Sequence, residues 1–293
     1  MLREGIVIDP TAPIAYVMSV GGGIVAVDLG SGAERWKSNQ RAKPLAVVQD
    51  LVITQVESAQ PASDRTLVVA GLDVRSGESR TDASAELDPS VHVTMGEGRD
   101  GTFSINALPS DGGVILTWDY QPLPLRRRMQ TRPERSAPEA ADFVRPSGVL
   151  RFEPSAKKLS PVFGLTSETL KPEKRWLLFT ERDPSAKALE RWYGSADDRH
   201  VLKSELTGKS TEWEKYRWTV TERETGRVLG RMRSHLSFTP FVVRDGTIVF
   251  DTTPYTRDGR EEPAKLRGVS LETGKQVWEV LVREIVWRGP MPP

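Results

Sequence analysis

His92, His200 and His235 are the only imidazoles in a chain of 293 residues. No two of them stand at metal-ligand spacing and no H-E-x-x-H is present, so each reads as a structural or surface side chain. Asp197 and Asp198 precede His200, a grouping that can hold a cation but is equally a set of solvated turn charges. Glu261 and Glu262 are adjacent carboxylates in the polar stretch "TRDGREEP". In an extended chain successive side chains point to opposite faces, so the two cannot aim at one bond. Gly21, Gly22 and Gly23 lack the lysine and helix that a phosphate loop requires, and a hairpin turn explains them. No serine occupies a G-x-S-x-G elbow. There are no cysteines, which removes disulfides, thiolate zinc sites, cysteine nucleophiles and lipid attachment through sulfur. Of eight tryptophans, Trp118, Trp176, Trp213, Trp218 and Trp287 have aromatic faces able to stack on sugars or bases; packing between sheets is the preferred reading. No catalytic, cofactor-binding or metal-ligating residue is assigned on this basis, and no cofactor is expected.

The elements that would position these residues belong to a soluble globular class. Apolar residues make up 38% and charged residues 28%, outside the ranges of disordered or membrane chains. With 41 basic and 40 acidic residues the net charge is +1, so bulk electrostatics offer no reason to expect nucleic acid or an anionic bilayer as partner. Residues 1–10 lack the form of a signal peptide. That places the chain in the cytoplasm if Met1 is the natural start and leaves the compartment open otherwise. Residues 13–27, "PIAYVMSVGGGIVAV", are broken by glycines and read as strand, turn and strand rather than as a membrane helix.

One hairpin is written several times. "AVDLGSGAERWKS" at 26–38 turns on Gly32, and "GVSLETGKQVWEV" at 268–280 turns on Gly274. Gly77 and Gly226 hold the same place in "AGLDVRSGESR" and "VTERETGRVLGRM". Four residues earlier stand Asp28, Asp73, Glu222 and Ser270, and a hydroxyl precedes each glycine: Ser31, Ser76, Thr225 and Thr273. The outgoing strand carries Trp36, Arg80, Gly230 or Trp278. Glycine supplies the positive φ a short turn needs, and the hydroxyl can bond nearby backbone. A second unit, proline then strand, turn and strand, appears at 43–55 and 239–251. Shorter matches lie at 112–120 and at 147–162, where Ala156 takes the glycine place.

Four short strands recurring every 40–50 residues predict an all-β fold, a β-propeller of five to seven four-stranded antiparallel blades with irregular insertions. Blades cover one another's faces only by stacking, which would make the first and last hairpins neighbours in a ring. The pattern D-x-x-[ST]-G-x-x-x-W, carried by 28–36 and more loosely by 270–278, resembles the PQQ-like repeat of quinoprotein-type propellers. The likeness covers roughly the first 80 and last 75 residues. That family includes quinone-dependent alcohol dehydrogenases and non-enzymatic relatives such as outer-membrane assembly scaffold lipoproteins, and through the latter it allows a periplasmic location. The dehydrogenases use adjacent cysteines, a metal site of carboxylate and amide ligands, and an aspartate base. This chain has no cysteine and no evident acidic ligand set, so the resemblance implies the fold and the non-enzymatic branch, not the cofactor.

The middle departs from the repeat. Residues 122–146 hold five prolines and six arginines, an insertion within what reads as a single domain over 1–293. Ser136 and Glu139 have capping-box spacing, which predicts a short helix over 137–144. In 181–201, Asp183 and Pro184 could start a helix through Trp192, although a worn hairpin fits as well. The C-terminal prolines of 286–293 cannot extend a sheet. The expected function is a non-catalytic scaffold for protein–protein interaction within a larger bacterial assembly, without direct membrane insertion. The alternative is a small-ligand binder or enzyme that uses the central channel.

Overall fold

The computed structural model describes residues 2, 4–57, 65–93, 96–97, 101–122, 146–165, 170, 191–194, 199–209 and 211–283. Most of them lie in antiparallel sheets whose strands follow one another in chain order. The first sheet is β1 (Ile6–Ile8), β2 (Ile14–Met18), β3 (Ile24–Asp28) and β4 (Glu34–Ser38). The second is β5 (Ala42–Val48), β6 (Leu51–Val56), β7 (Thr66–Asp73) and β8 (Ser79–Glu86). The third begins with the short β9 (Gly96–Glu97) and continues through β10 (Gly101–Ser110), β11 (Gly113–Pro122), β12 (Ser147–Glu153) and β13 (Lys158–Pro161). The fourth is β14 (Arg191–Gly194), β15 (His200–Leu206), β16 (Tyr216–Glu222) and β17 (Val228–Ser234). In the fifth, β18 (Phe241–Arg244) and β19 (Thr247–Thr252) are followed by a small hairpin, β20 (Tyr255–Arg257) and β21 (Arg260–Glu262). The sheet then resumes with β22 (Lys265–Ser270) and β23 (Gln276–Leu281). Among the described residues no helix is long and apolar enough to cross a membrane.

These residues group into two compact units. One holds the described residues of 1–39 and 172–284, the other those of 40–171. In the first unit the first and fifth sheets share a core of Val17, Val25, Val27, Val249, Leu266 and Trp278. The fourth and fifth share another, with Leu202, Trp218, Met232, Phe241 and Phe250. In the second unit Ile53, Leu67 and Val69 pack against Phe103, Leu116, Trp118 and Phe152. The alternation of strand residues sets these faces. Burial of each large side chain is worth roughly 1.5–3 kcal/mol. A four-stranded meander has two faces, and the fifth sheet covers both by packing on a neighbour at each side.

The predicted glycine turns are copies of one another. Gly32, Gly77, Gly226 and Gly274 all have φ between 67° and 73°. The N–H of each donates to the carbonyl four residues back, on Asp28, Asp73, Glu222 and Ser270, at 2.8–2.9 Å. One step before each of those residues the ladder shifts register, so the bulge recurs as well. The hydroxyls act as expected: Ser31, Ser76, Thr225 and Thr273 accept from the N–H two residues on. The Gly21–Gly23 stretch is a hairpin turn with Gly22 at φ 98°.

Two expectations need correction by one residue. In the third sheet the left-handed residue is Lys157, φ 50°, and not Ala156, which ends a single 3-10 turn over Pro154–Ala156. Glu153 therefore holds the place of Asp28. In the second sheet the residue paired like Trp36 is Thr81, opposite Gly71, whereas Arg80 corresponds to Arg35. Arg80 is thus no worn tryptophan. It forms an ion pair with Asp73, as Arg35 does with Asp28. Trp192, placed in a possible helix, lies in β14 opposite Ser204. The expected helix over 137–144, the bulk of the 122–146 insertion, residues 181–190, and residues 286–293 lie outside the described residues.

Candidate interaction site

The two ends of each sheet differ in kind. One end carries the standard turns. There Asp28 Oδ1 accepts from the backbone N–H groups of Gly30 and Ser31 and from the Ser31 hydroxyl, while Arg35 reaches Oδ2 at 2.5 Å. The arginine, with the Ser31 contacts, lowers the Asp28 carboxyl to about 2. Asp73 is also lowered. Burial opposes ionisation there, but the Arg75 and Ser76 N–H groups and the Arg80 charge outweigh it. Such an acid is fully engaged in holding a turn.

This end also joins neighbouring sheets through a shared geometry. The Trp278 indole N–H donates to the Leu29 carbonyl, the residue after Asp28, at 2.9 Å across 249 positions of sequence. The opening and closing repeats are therefore neighbours, as the hairpin likeness predicts. Within the second unit Thr81, at the matching place, donates its hydroxyl to the Pro154 carbonyl, the residue after Glu153, at 3.1 Å. At the third such place stands Gly230, where a Cβ would lie 2.1 Å from the carbonyl oxygen of Leu271, the residue after Ser270. Tryptophan, threonine and glycine thus serve one junction. The first two donate a hydrogen bond, and the third lets the carbonyl approach the bare backbone.

The opposite end varies. The connection between the second and third main strands is a tight turn at 19–23 in the first sheet and spans 57–65, 123–146, 207–215 and 253–264 in the others. In the fourth and fifth sheets these longer connections meet around three rings. Trp213 and His235 stack at 5.0 Å with 18° between planes. Tyr255 lies 5.0 Å from Trp213 and 4.5 Å from His235. Arg257 sits over the Trp213 ring at 5.6 Å. Arg267 donates to the Tyr255 hydroxyl at 3.2 Å and pairs with Glu279 at 3.3 Å. Glu279 also takes Lys265, which binds Glu262. Burial, followed by the positive charges of Arg267 and Arg257, pushes the His235 imidazole down to about 4, so the ring is neutral. Its Nε2 is buried and has no hydrogen-bond partner among the described residues.

The other residues singled out from sequence are dispersed. His92 lies 6.3 Å from the Tyr120 ring, and His200 begins β15. Glu262 turns to Lys265 while Glu261 is exposed, so the adjacent carboxylates do diverge. Trp118, Trp218 and Trp278 fill inter-sheet cores, as the packing reading predicts. Trp213 does not. Asp197, Asp198, Trp176 and Trp287 are outside the described residues. Lys43, which sequence reasoning passed over, is 1% exposed opposite Gln55 in β5 and β6. A lysine preceding proline in an apolar run carries no signal of such burial. On the fourth sheet Lys203, Glu205, Arg217, Thr219, Thr221, Val228 and Arg231 line a shallow groove of about 440 Å³. Glu205 is held below the usual carboxylate range by the Arg217 bond, with Lys203 adding to it, so this one carboxylate is shared by two of the groove's three cations.

Taken together, the repeated turns, bulges and junctions define an all-β repeat protein of mostly four-stranded antiparallel meander sheets, four of which carry an extended connection between their second and third main strands. No family model matches the chain, and no curated protein matches it. Solved structures do align along most of its length. BamB from Moraxella catarrhalis aligns at 14% identity and TM-score 0.31, covering 94% of this chain and 63% of that one. A europium-containing methanol dehydrogenase aligns at 14% identity and TM-score 0.27, over 93% and 68%. The quinohemoprotein alcohol dehydrogenase ADHIIG from Pseudomonas putida HK5 aligns at 10% identity and TM-score 0.25, over 92% and 57%. The chain thus spans under two thirds of the BamB chain. Similarity at this level establishes no function.

Proposed function

We propose that this chain is a non-catalytic β-propeller scaffold for protein–protein interaction, its sheets forming blades of one ring in a larger bacterial assembly. The observation that carries the reading is the contrast between sheet ends. One end repeats a single turn design, and the other bears connections of unequal length and composition. Selection for folding alone standardises turns. Loops that vary on a constant frame are where binding residues concentrate. The aromatic and arginine content around Trp213, Tyr255 and Arg257 is of the type enriched at protein interfaces.

The test is native purification of the full chain beside a variant in which residues 253–264 are replaced by an Asn-Gly turn. That replacement leaves β19 paired with β22. The expected result is a partner, identified by mass spectrometry, that is retained by the parent chain and lost from the variant. Absence of any stoichiometric partner, or equal retention by both chains, would overturn the proposal.

A further inference from the structure

The fourth sheet has two unlike faces. Leu202, Trp218, Val220 and Met232 turn inward to the core shared with the fifth sheet. By alternation Lys203, Glu205, Arg217, Thr219 and Arg231 stand on the other face, where they line the shallow groove. Register sets their order. Thr219 lies between Lys203 and Arg231 in one cross-strand row, and Glu205 pairs with Arg217 in the next. The groove carries three cations against one carboxylate. Glu205 accepts from Arg217 at 2.6 Å and lies 3.1 Å from Lys203. Arg231 is exposed and pairs with no acid among the described residues. Solvent reaches these groups, since the Arg217 side chain is 49% exposed and that of Lys203 35%. An accessible face with this surplus of positive charge favours an anionic partner. Spacing narrows its form. Arg231 stands opposite Thr219, so Arg217 and Arg231 are diagonal neighbours on adjacent strands, about 7–8 Å apart. Alternate residues of an extended chain are separated by about 6.4–6.8 Å and point to the same side.

We propose that this face of the fourth sheet docks an extended acidic segment of a protein partner, with carboxylates at alternate positions meeting Arg217 and Arg231. This deepens the interaction-scaffold reading and rests on it. Clusters of arginine recognise acidic motifs in this way, and the charge-assisted bonds they form are the strong kind. The Thr219 hydroxyl, in the row between Lys203 and Arg231, would donate to a main-chain carbonyl of the segment. Val228, 43% exposed at the groove, offers it an apolar contact. Glu205 is then an internal competitor, because it engages the same Arg217 and Lys203 that the incoming carboxylate would share.

The probe is acetyl-Glu-Ser-Glu-Ser-Glu-amide, titrated into the full chain and followed by calorimetry and by amide NMR. The expected result is saturable binding that weakens with added salt, with shifts confined to β15, β16 and β17. Affinity falls about tenfold in Arg231→Gln, the loss of one charge-assisted bond, and is partly restored in Arg231→Lys. In Glu205→Gln it rises about threefold, as the competing ion pair is removed. A merely structural role for Glu205 predicts no such gain. Arg231 is exposed, so its variants keep the fold, which circular dichroism verifies. Absence of saturable binding, an unchanged affinity in Arg231→Gln, or weaker binding in Glu205→Gln would overturn the proposal. Equal affinity for acetyl-Glu-Glu-Glu-Ser-Ser-amide would overturn the alternating spacing, and tighter binding of inorganic pyrophosphate would overturn the peptide source. The titration needs no natural partner, so the two readings fail separately. A partner that co-purifies equally with the parent chain and with Arg231→Gln, without peptide binding, would refute this surface and leave the scaffold reading standing.

Discussion

Replacing the turn glycines by alanine separates the cost of a turn from the cost of a sheet junction. Gly226, φ 67°, has nothing within 4 Å of an added Cβ. Gly32, φ 73°, would place its Cβ 2.3 Å from Trp278 Cβ, and Gly274, φ 67°, would place it 2.5 Å from the Arg231 carbonyl oxygen. The obstructing atoms belong to the adjoining sheet. All three substitutions carry the left-handed penalty of an L-residue, about 1–2 kcal/mol. Gly226→Ala should cost that and little more. Gly32→Ala and Gly274→Ala must also push a packed sheet aside, and overpacking adds about 1–3 kcal/mol. Their totals should therefore reach about 2–5 kcal/mol. Asparagine sharpens the comparison, because it tolerates the left-handed region. Gly226→Asn should recover most of the alanine loss, whereas Gly32→Asn should recover none. Urea unfolding followed by tryptophan fluorescence and by circular dichroism measures each value. Equal losses at Gly226 and Gly32 would refute the claim that the turns double as inter-sheet contacts.

The junction itself is open to test. Trp278→Phe keeps most of the ring but leaves the Leu29 carbonyl without its indole donor, at a cost of about 1–3 kcal/mol, and Thr81→Val should do the same at Pro154. Both are read from urea midpoints, and unchanged midpoints would discount the shared geometry. Acid titration offers a third test. The Asp28 carboxyl is lowered from 3.8 to about 2 in the folded chain, so its contribution is present above pH 4 and lost as pH falls toward 2. Asp28→Asn should flatten stability over that window. His235 behaves oppositely: its folded value, about 4 against 6.5, means that the unfolded chain takes up the proton first. Stability should decline from pH 6.5 to 4, and His235→Gln should reduce that decline.

The repeat was legible in the sequence because every determinant of the turn lies within five residues. A hydroxyl and a glycine at φ near 70°, four residues after an acid or serine, close the same backbone hydrogen bond in each of the four turns. The likeness of the first and last hairpins also predicted their adjacency, which the Trp278–Leu29 bond realises. Where the local code was worn, reading by likeness slipped by one residue. Ala156 was given the glycine place that Lys157 fills, and Arg80 was matched to tryptophan where Thr81 stands. At Lys157 the positive φ settles the case, whereas at Thr81 the spacing does, since Thr81 follows Gly77 by four residues as Trp36 follows Gly32.

By itself the sequence determined the strand unit, its turns, and the all-β class, because φ preferences, alternation and local side-chain bonds act over a few residues. Tertiary structure alone decided which side chain meets which carbonyl across a junction. It alone assembled Trp213, His235, Tyr255 and Arg257, contributed by three separate connections. The physical reason is range. A turn is a local energy minimum, whereas a site made from loops exists only after the sheets that carry them have packed.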